Sequence, residues 1–413
     1  MAEDLFNEAF SRRLGEALLG LKPPKLAYAD VYLGVWHGFD GFGDVGRFAV
    51  ADGSCASTVF RGGFRVVVVR AAALSYEGWR LAGSVCDVDV KAGLRLRRAS
   101  LYMRALEFSC LSRVLDGVSL AICDGHIYPT VHPAIYKGPR QVVDAYRRYL
   151  FSLLSLFREA WRRGAALVGL VKDSSVNYVR ARLLANAALR ECPEVAQALA
   201  RERGPAGILR VLRGAGVSGP IIDELESFTS DEEVFDECVK EPGFSTPLAL
   251  APQPIFFGEE VKAGVESWWE SRLRERLLRA GGELREVAEV LDGFYEMPPT
   301  ATFYWRPWHG IGVFRVDISG WSLGLNSPCG DMGRDVFVEG DAIERCRGIV
   351  AALNALSPEP YTVKPLLDAD LVVRLSRREY REFYEPQIIE EMRKAGFKPQ
   401  LAKRRIREEA LAE

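Results

Sequence analysis

The chain has 413 residues, 48% hydrophobic and 27% charged, with a formal net charge of −2. That length and balance suit one large or two ordinary globular domains and exclude a disordered chain. They also exclude a uniformly basic nucleic-acid binder, so any such contact has to come from a local groove. The eight cysteines form no C-x-x-C pair, which argues against a structural zinc and a disulfide-built secreted fold. No signal peptide is visible, and the most apolar run, Val66 to Leu74, is broken by Arg70 and too short for a bilayer. The expected compartment is cytoplasmic, with no membrane association.

An amphipathic helix is predicted over Glu3 to Leu19, ended by Pro23-Pro24, and a loop rich in glycine and aromatics follows from Trp36 to Gly46. Phe48-Ala49-Val50-Ala51 reads as a short buried strand closed by the turn Asp52-Gly53-Ser54. Thr58 to Phe60 and Phe64 to Ala73 flank Gly62-Gly63, a hairpin turn, and Gly83 to Val90 supplies the next antiparallel strand. A helix from Ser100 to Leu115 places Met103, Cys110, Leu111 and Val114 on one face, with Glu107 in the middle of it. Ser119 to Cys123 is another buried strand, ending in Asp124-Gly125.

Pro139 to Arg163 is a long amphipathic helix, and Ala165 to Val171 a buried strand ending at Lys172. A helix capped by Ser174 or Ser175 then runs on through Tyr178 to Ala188. The middle third reads as helix-rich and charged, including Glu259 to Leu278 with Trp268-Trp269, a packing or dimer surface. Strands return at Thr300 to Trp305 and Gly312 to Ile318, followed by helices at Asp341 to Leu356 and Ala369 to Tyr384 and a tail of mixed charge. The expected segments are an N-terminal helix and loop (1–45), a first core part (46–191), a helix-rich insertion (192–299), core completion (300–385) and the tail (386–413).

The chemistry lies in three acids. A carboxylate on a core-facing stripe is costly to desolvate unless it is paired, protonated or bound to a metal. Glu107 has Arg104 and Arg113 as candidate ion-pair partners. If the Asp52 and Asp124 strands lie side by side and parallel, their carboxyl ends coincide. The two acids and Glu107 would then offer a divalent ion several hard oxygen ligands. Carboxylates favour magnesium or manganese over zinc, and none of His37, His126, His132 and His309 has zinc-motif spacing. His126 is a turn residue or reaches a phosphate or water. Lys172 contacts a phosphate, orients a carboxylate, or simply precedes a capped helix. Arg61, Arg65, Arg97 and Arg98 line a phosphate track or are solvated. No histidine base stands beside Ser54, so serine-hydrolase chemistry is not expected.

Four stretches resemble the NurA nucleases of archaea: Val50-Ala51-Asp52-Gly53-Ser54, the Glu107 helix with Ile122-Cys123-Asp124-Gly125, Leu170-Val171-Lys172-Asp173-Ser174, and Tyr361 to Arg374. Thr229-Ser230-Asp231-Glu232 and Phe314-Arg315-Val316-Asp317 are weaker echoes. The resemblance implies an α/β fold, an RNase H-like mixed-sheet core flanked by helices. It further implies a metal-dependent DNA nuclease, a 5′–3′ exonuclease and single-strand endonuclease. Such an enzyme acts on single-stranded DNA and double-stranded ends in break resection, as a homodimer beside a hexameric HerA-type translocase. Its metal ligands map onto Asp52, Glu107 and Asp124, with Asp370 as the fourth and Asp368 competing for that place. Tyr361 and Lys172 complete the implied catalytic set, working with two Mn2+ or Mg2+ ions. Thr362 after the tyrosine and Asp370 in place of histidine depart from the family pattern. The alternative is a non-catalytic dimeric DNA-clamp subunit of the translocase complex.

Overall fold

The strand expected to stop at Asp52 runs on. In the computed structural model, β1 spans Arg47–Val59 and pairs antiparallel along its whole length with β2, Phe64–Glu77. The link between them is the predicted hairpin turn, where Gly62 and Gly63 take φ of 79° and 82°, a conformation open to glycine at no steric cost. Asp52-Gly53 is therefore not a turn, since Gly53 stays in the ladder opposite Ala71. Its missing side chain serves packing, because a Cβ there would lie 2.8 Å from Met103 Cγ. β3, Arg80–Leu94, completes this antiparallel meander.

Helix α1, Ala99–Ser112, crosses back over the sheet and buries Tyr102, Ala105, Glu107, Phe108, Cys110 and Leu111. β4, Leu120–Asp124, lies parallel to β1, with Phe48 opposite Leu120 and Ala51 opposite Cys123. Helix α2, Arg140–Arg163, leads to β5, Ala166–Val171, parallel to β4. The sheet is extended by β6 (Gly243–Ser245), β7 (Leu248–Leu250), β8 (Thr300–Arg306), β9 (Phe314–Ser319) and β10 (Val336–Phe337). Its order is β6-β8-β9-β5-β4-β1-β2-β3, with β7 on β8 and β10 on β7. The middle third is thus not helical throughout. β6 and β7 are three-residue buried runs, too short for their period to separate strand from helix.

Both faces of the sheet are covered, which is why β4 and β5 read as near-continuous apolar runs. Ala49, Ala51, Ala121 and Cys123 face α1, α2 and α3 (Gly282–Tyr295). Phe48, Val50, Leu120 and Ile122 face α4 (Asp341–Ala355) and α5 (Lys364–Val373). The last helix expected from Ala369 to Tyr384 is broken. α5 starts earlier, with Pro365 in its first turn, and ends at Val373. Ser376 then caps a new start by accepting from the Glu379 N–H, and a π-turn over Tyr380–Tyr384 leads into α6, Glu385–Lys394.

These elements belong to one compact unit, His37–Lys172 with Pro242–Glu413; Met1–Trp36 with Asp173–Glu241 form a second. In the second, the helix Tyr178–Glu191 is not capped by Ser174 or Ser175. The Asp231 carboxylate accepts from the Val179 and Arg180 N–H groups, each at 2.9 Å. The structure describes residues 10, 11, 13, 14, 26–39, 41–94, 96, 98–129, 140–199, 202, 205–217, 219–226, 230–251, 278–279, 282–359 and 362–402. Most of the predicted first helix, Trp268-Trp269, Tyr361, His132, Arg97, Thr229 and the tail from 403 lie outside them. Among the described residues no helix is long and apolar enough to cross a membrane.

Candidate metal centre

The parallel pairing of β1 and β4 sets the site. Ala51 is opposite Cys123, so the next residues, Asp52 and Asp124, are neighbours across the pair. Both follow the two-residue period of Val50 and Ile122, onto the sheet face that carries α5. Glu107 comes from the opposite side, its Oε2 lying 3.6 Å from where a Gly53 Cβ would stand. The bare backbone at Gly53 admits Met103 of α1, and Glu107 follows one helical turn later on the same helix.

Asp370 is on α5, one helical turn after the buried Leu366, and its charge acts on Asp52. Its carboxylate accepts from Arg374 at 2.6 Å. Asp368, two positions earlier and so on another face of the helix, pairs with Lys364, and its charge acts on Tyr76 instead. The Leu375 N–H donates to Ser54 Oγ at 3.2 Å, tying the end of α5 to β1. Lys172, at the end of β5, donates to Asp124 Oδ2 at 3.2 Å and its charge also acts on Asp52.

Electrostatically these acids share one field. Asp52 is 8% exposed. Burial pushes its carboxyl up to about 6; the Gly53 N–H donating at 2.7 Å and Lys172 oppose the rise, and Asp124 and Asp370 add to it. Glu107 is 1% exposed. It too is pushed up by burial, with Arg104 opposing and Asp52 and Asp124 adding. Arg104 Nη1 donates to Glu107 Oε1 at 2.6 Å, whereas Arg113 pairs with Asp87 at 3.3 Å. Of the two candidate partners, Arg104 is therefore the one used. Among the described residues, no group of three or more His, Cys, Asp or Glu side chains stands close enough to hold a metal ion. Asp52, Glu107 and Asp124 lie near enough for their charges to act on one another, and Glu107 is turned onto Arg104. The donor set still suits a hard divalent cation, because it offers carboxylate oxygens from three elements.

The other candidates divide. His126 Nε2 is 3.4 Å from the Tyr149 hydroxyl, and burial, with Arg104 adding, pushes the imidazole down to about 4. Arg61 donates to Gln400 and Arg65 to Ser57, so neither is drawn to the acids. Sequence reasoning missed Arg70. It lies opposite Ser54, stacks on Tyr384 at 5.1 Å and lines a cleft of about 480 Å³ with Ala72, Val88, Leu371 and Arg374. The sequence marks it only as the charge that breaks the Val66 to Leu74 run, and its partners are not local, because α5 and the π-turn that build the cleft lie some 300 residues on.

A protein-family model described as NurA domain matches residues 46–323. Among solved structures, the fold is similar to that of the NurA nuclease from Sulfolobus solfataricus, at 16% identity and a TM-score of 0.52, covering 96% of this chain and 98% of that one. A structure of NurA bound to dAMP and manganese aligns at 13% identity and a TM-score of 0.42, covering 94% of this chain and 95% of that one. No curated protein matches at the sequence level.

Proposed function

The chain belongs to the NurA family, and from that premise we propose that it is a divalent-metal-dependent deoxyribonuclease hydrolysing phosphodiester bonds. The observation that carries the reading is the β1–β4 register, which sets Asp52 beside Asp124 in reach of the charges of Glu107 and Asp370. Those four residues are the proposed ligands for manganese or magnesium, two ions per site. When bound, the ions supply Lewis acidity at the phosphoryl oxygens and a water of lowered pKa. The chain's own part is to hold the acids on rigid strands and helices and to exclude bulk water from the buried side. Lys172 steadies Asp124 and keeps a cation at the rim where a phosphate would sit. Tyr361 is proposed as a further member of the set, three residues before α5.

The strand order β3-β2-β1-β4-β5, an antiparallel meander followed by two parallel additions, is the ground for reading the core as RNase H-like. The 5′–3′ exonuclease and single-strand endonuclease activities, end resection, the homodimer, the HerA-type partner and the cytoplasmic setting rest on the family resemblance. The Glu107–Arg104 pair favours one other reading, a non-catalytic dimeric DNA-clamp subunit, because it occupies a carboxylate the chemistry needs. Incubation with end-labelled single- and double-stranded DNA in manganese, magnesium or EDTA separates the two. We expect metal-dependent degradation that Asp52→Ala and Asp124→Ala each abolish while the protein stays folded. Undiminished cleavage by either variant removes the ligand assignment, and binding without cleavage selects the clamp.

A further inference from the structure

We propose that Arg104 is a positioning residue of the acidic site, one guanidinium that fixes Glu107 and the Asp124 turn relative to each other. The inference rests on the metal reading above. Arg104 Nη1 donates to Glu107 Oε1 at 2.6 Å and to the Asp124 carbonyl oxygen, and Nη2 donates to the His126 carbonyl oxygen at 2.8 Å. The side chain is 12% exposed, and its guanidinium lies 4.6 Å over the Phe108 ring. A single planar group thus bridges α1 and the end of β4.

The turn offers Arg104 two acceptors. β4 ends at Asp124, Gly125 takes φ of 87°, and the Gly125 N–H donates to the Leu170 carbonyl at 2.6 Å. A Cβ on Gly169 would stand 2.5 Å from the Gly125 carbonyl oxygen, so β5 gives way for the turn to tuck in. The carbonyls of Asp124 and His126, at the half-buried end of β4, flank this turn, and main-chain acceptors removed from water need partners. Arg104 supplies both. A simple counter-ion to Glu107 would have no use for two neutral main-chain acceptors, whereas a brace does. Lysine keeps the charge but lacks the rigid fork that reaches three acceptors in fixed directions.

The test uses the full chain, wild type, Arg104→Lys and Arg104→Gln. Free Mn2+ is followed by electron paramagnetic resonance during titration, folding by circular dichroism, and kcat and KM on end-labelled DNA. We expect Arg104→Lys to fold, to bind Mn2+ roughly 10–100-fold more weakly, and to lose kcat with KM unchanged. Arg104→Gln, which keeps one amide donor and no charge, should lose at least as much affinity. Wild-type affinity in Arg104→Lys would overturn the proposal, as would tighter binding by Arg104→Gln, the behaviour of a cation that merely competes with the metal. If the wild-type protein binds no Mn2+, the metal reading itself falls, an outcome distinct from wild-type binding that the variants leave unmoved.

Discussion

Asp52→Asn should make the metal-free protein more stable, by an amount that depends on pH. The substitution removes a charge but keeps the shape and the oxygen that accepts from the Gly53 N–H. Burial, with Asp124 and Asp370 adding, holds the Asp52 carboxyl at about 6 against an ordinary 3.8. Because the folded-state value is raised, the associated stability is fully present below about pH 4 and is lost as pH rises through about 6. Keeping that carboxyl ionised at pH 8 costs the fold roughly 3 kcal/mol, and about half as much at pH 5. Urea unfolding in EDTA should therefore show Asp52→Asn more stable than wild type by roughly 2–3 kcal/mol at pH 8, with a visibly smaller gap at pH 5. Added manganese should narrow or close that gap at pH 8, since an ion at 100 times its Kd stabilises wild type by about 2.7 kcal/mol and has lost a ligand in the variant. A variant less stable than wild type in EDTA at pH 8, or a gap that ignores pH, would refute the picture of a desolvated carboxyl among like charges.

The remaining predictions concern the helix acids and a buried ion pair. Asp370→Ala should lower metal-dependent DNA degradation by roughly 10–100-fold or more, whereas Asp368→Ala, whose partner is Lys364, should stay within a few-fold; equal losses would discard the choice between them. In β9, Arg315 donates to both Asp317 oxygens, at 2.9 and 3.0 Å, with Asp317 fully buried. Arg315→Met alone should cost roughly 3–5 kcal/mol in urea unfolding, and the double variant Arg315→Met/Asp317→Leu should recover most of it. No recovery would mean the pair does more than neutralise itself.

Much of the site was legible because strand and helix periods carry it. The apolar runs before Asp52 and Asp124, the Glu107 stripe and the choice of Arg104 or Arg113 as partner were all readable from spacing. What spacing cannot carry is contact between distant segments. Arg70 gains its role from Tyr384 and Glu379, which no local pattern links to it. The C-terminal helix reads as continuous because Leu371-Val372-Val373 carries the apolar run to the very end of α5, three residues before Ser376 caps a new start. A cap is a tertiary choice as much as a local one. The short strands Gly243–Ser245 and Leu248–Leu250 escaped because three buried residues hold no period at all.

The two Asp-Gly pairs show why identical dipeptides misled in one place and not in the other. At Asp124-Gly125 the glycine adopts φ of 87° and the strand ends, so the dipeptide is a turn, as its chemistry suggests. At Asp52-Gly53 the strand goes on, and the glycine is there because Met103 of α1 occupies the space a side chain would fill. The sequence offers the same two letters for a backbone that bends and for a backbone that must be approached. Only the partner across the gap tells them apart. Had Asp52 closed a turn, its carboxylate would have left the sheet face it shares with Ile122 and Val50. It is the unbroken strand that keeps Asp52 level with Asp124, while α1 packs Met103 against the bare Gly53 and carries Glu107 on the same helix.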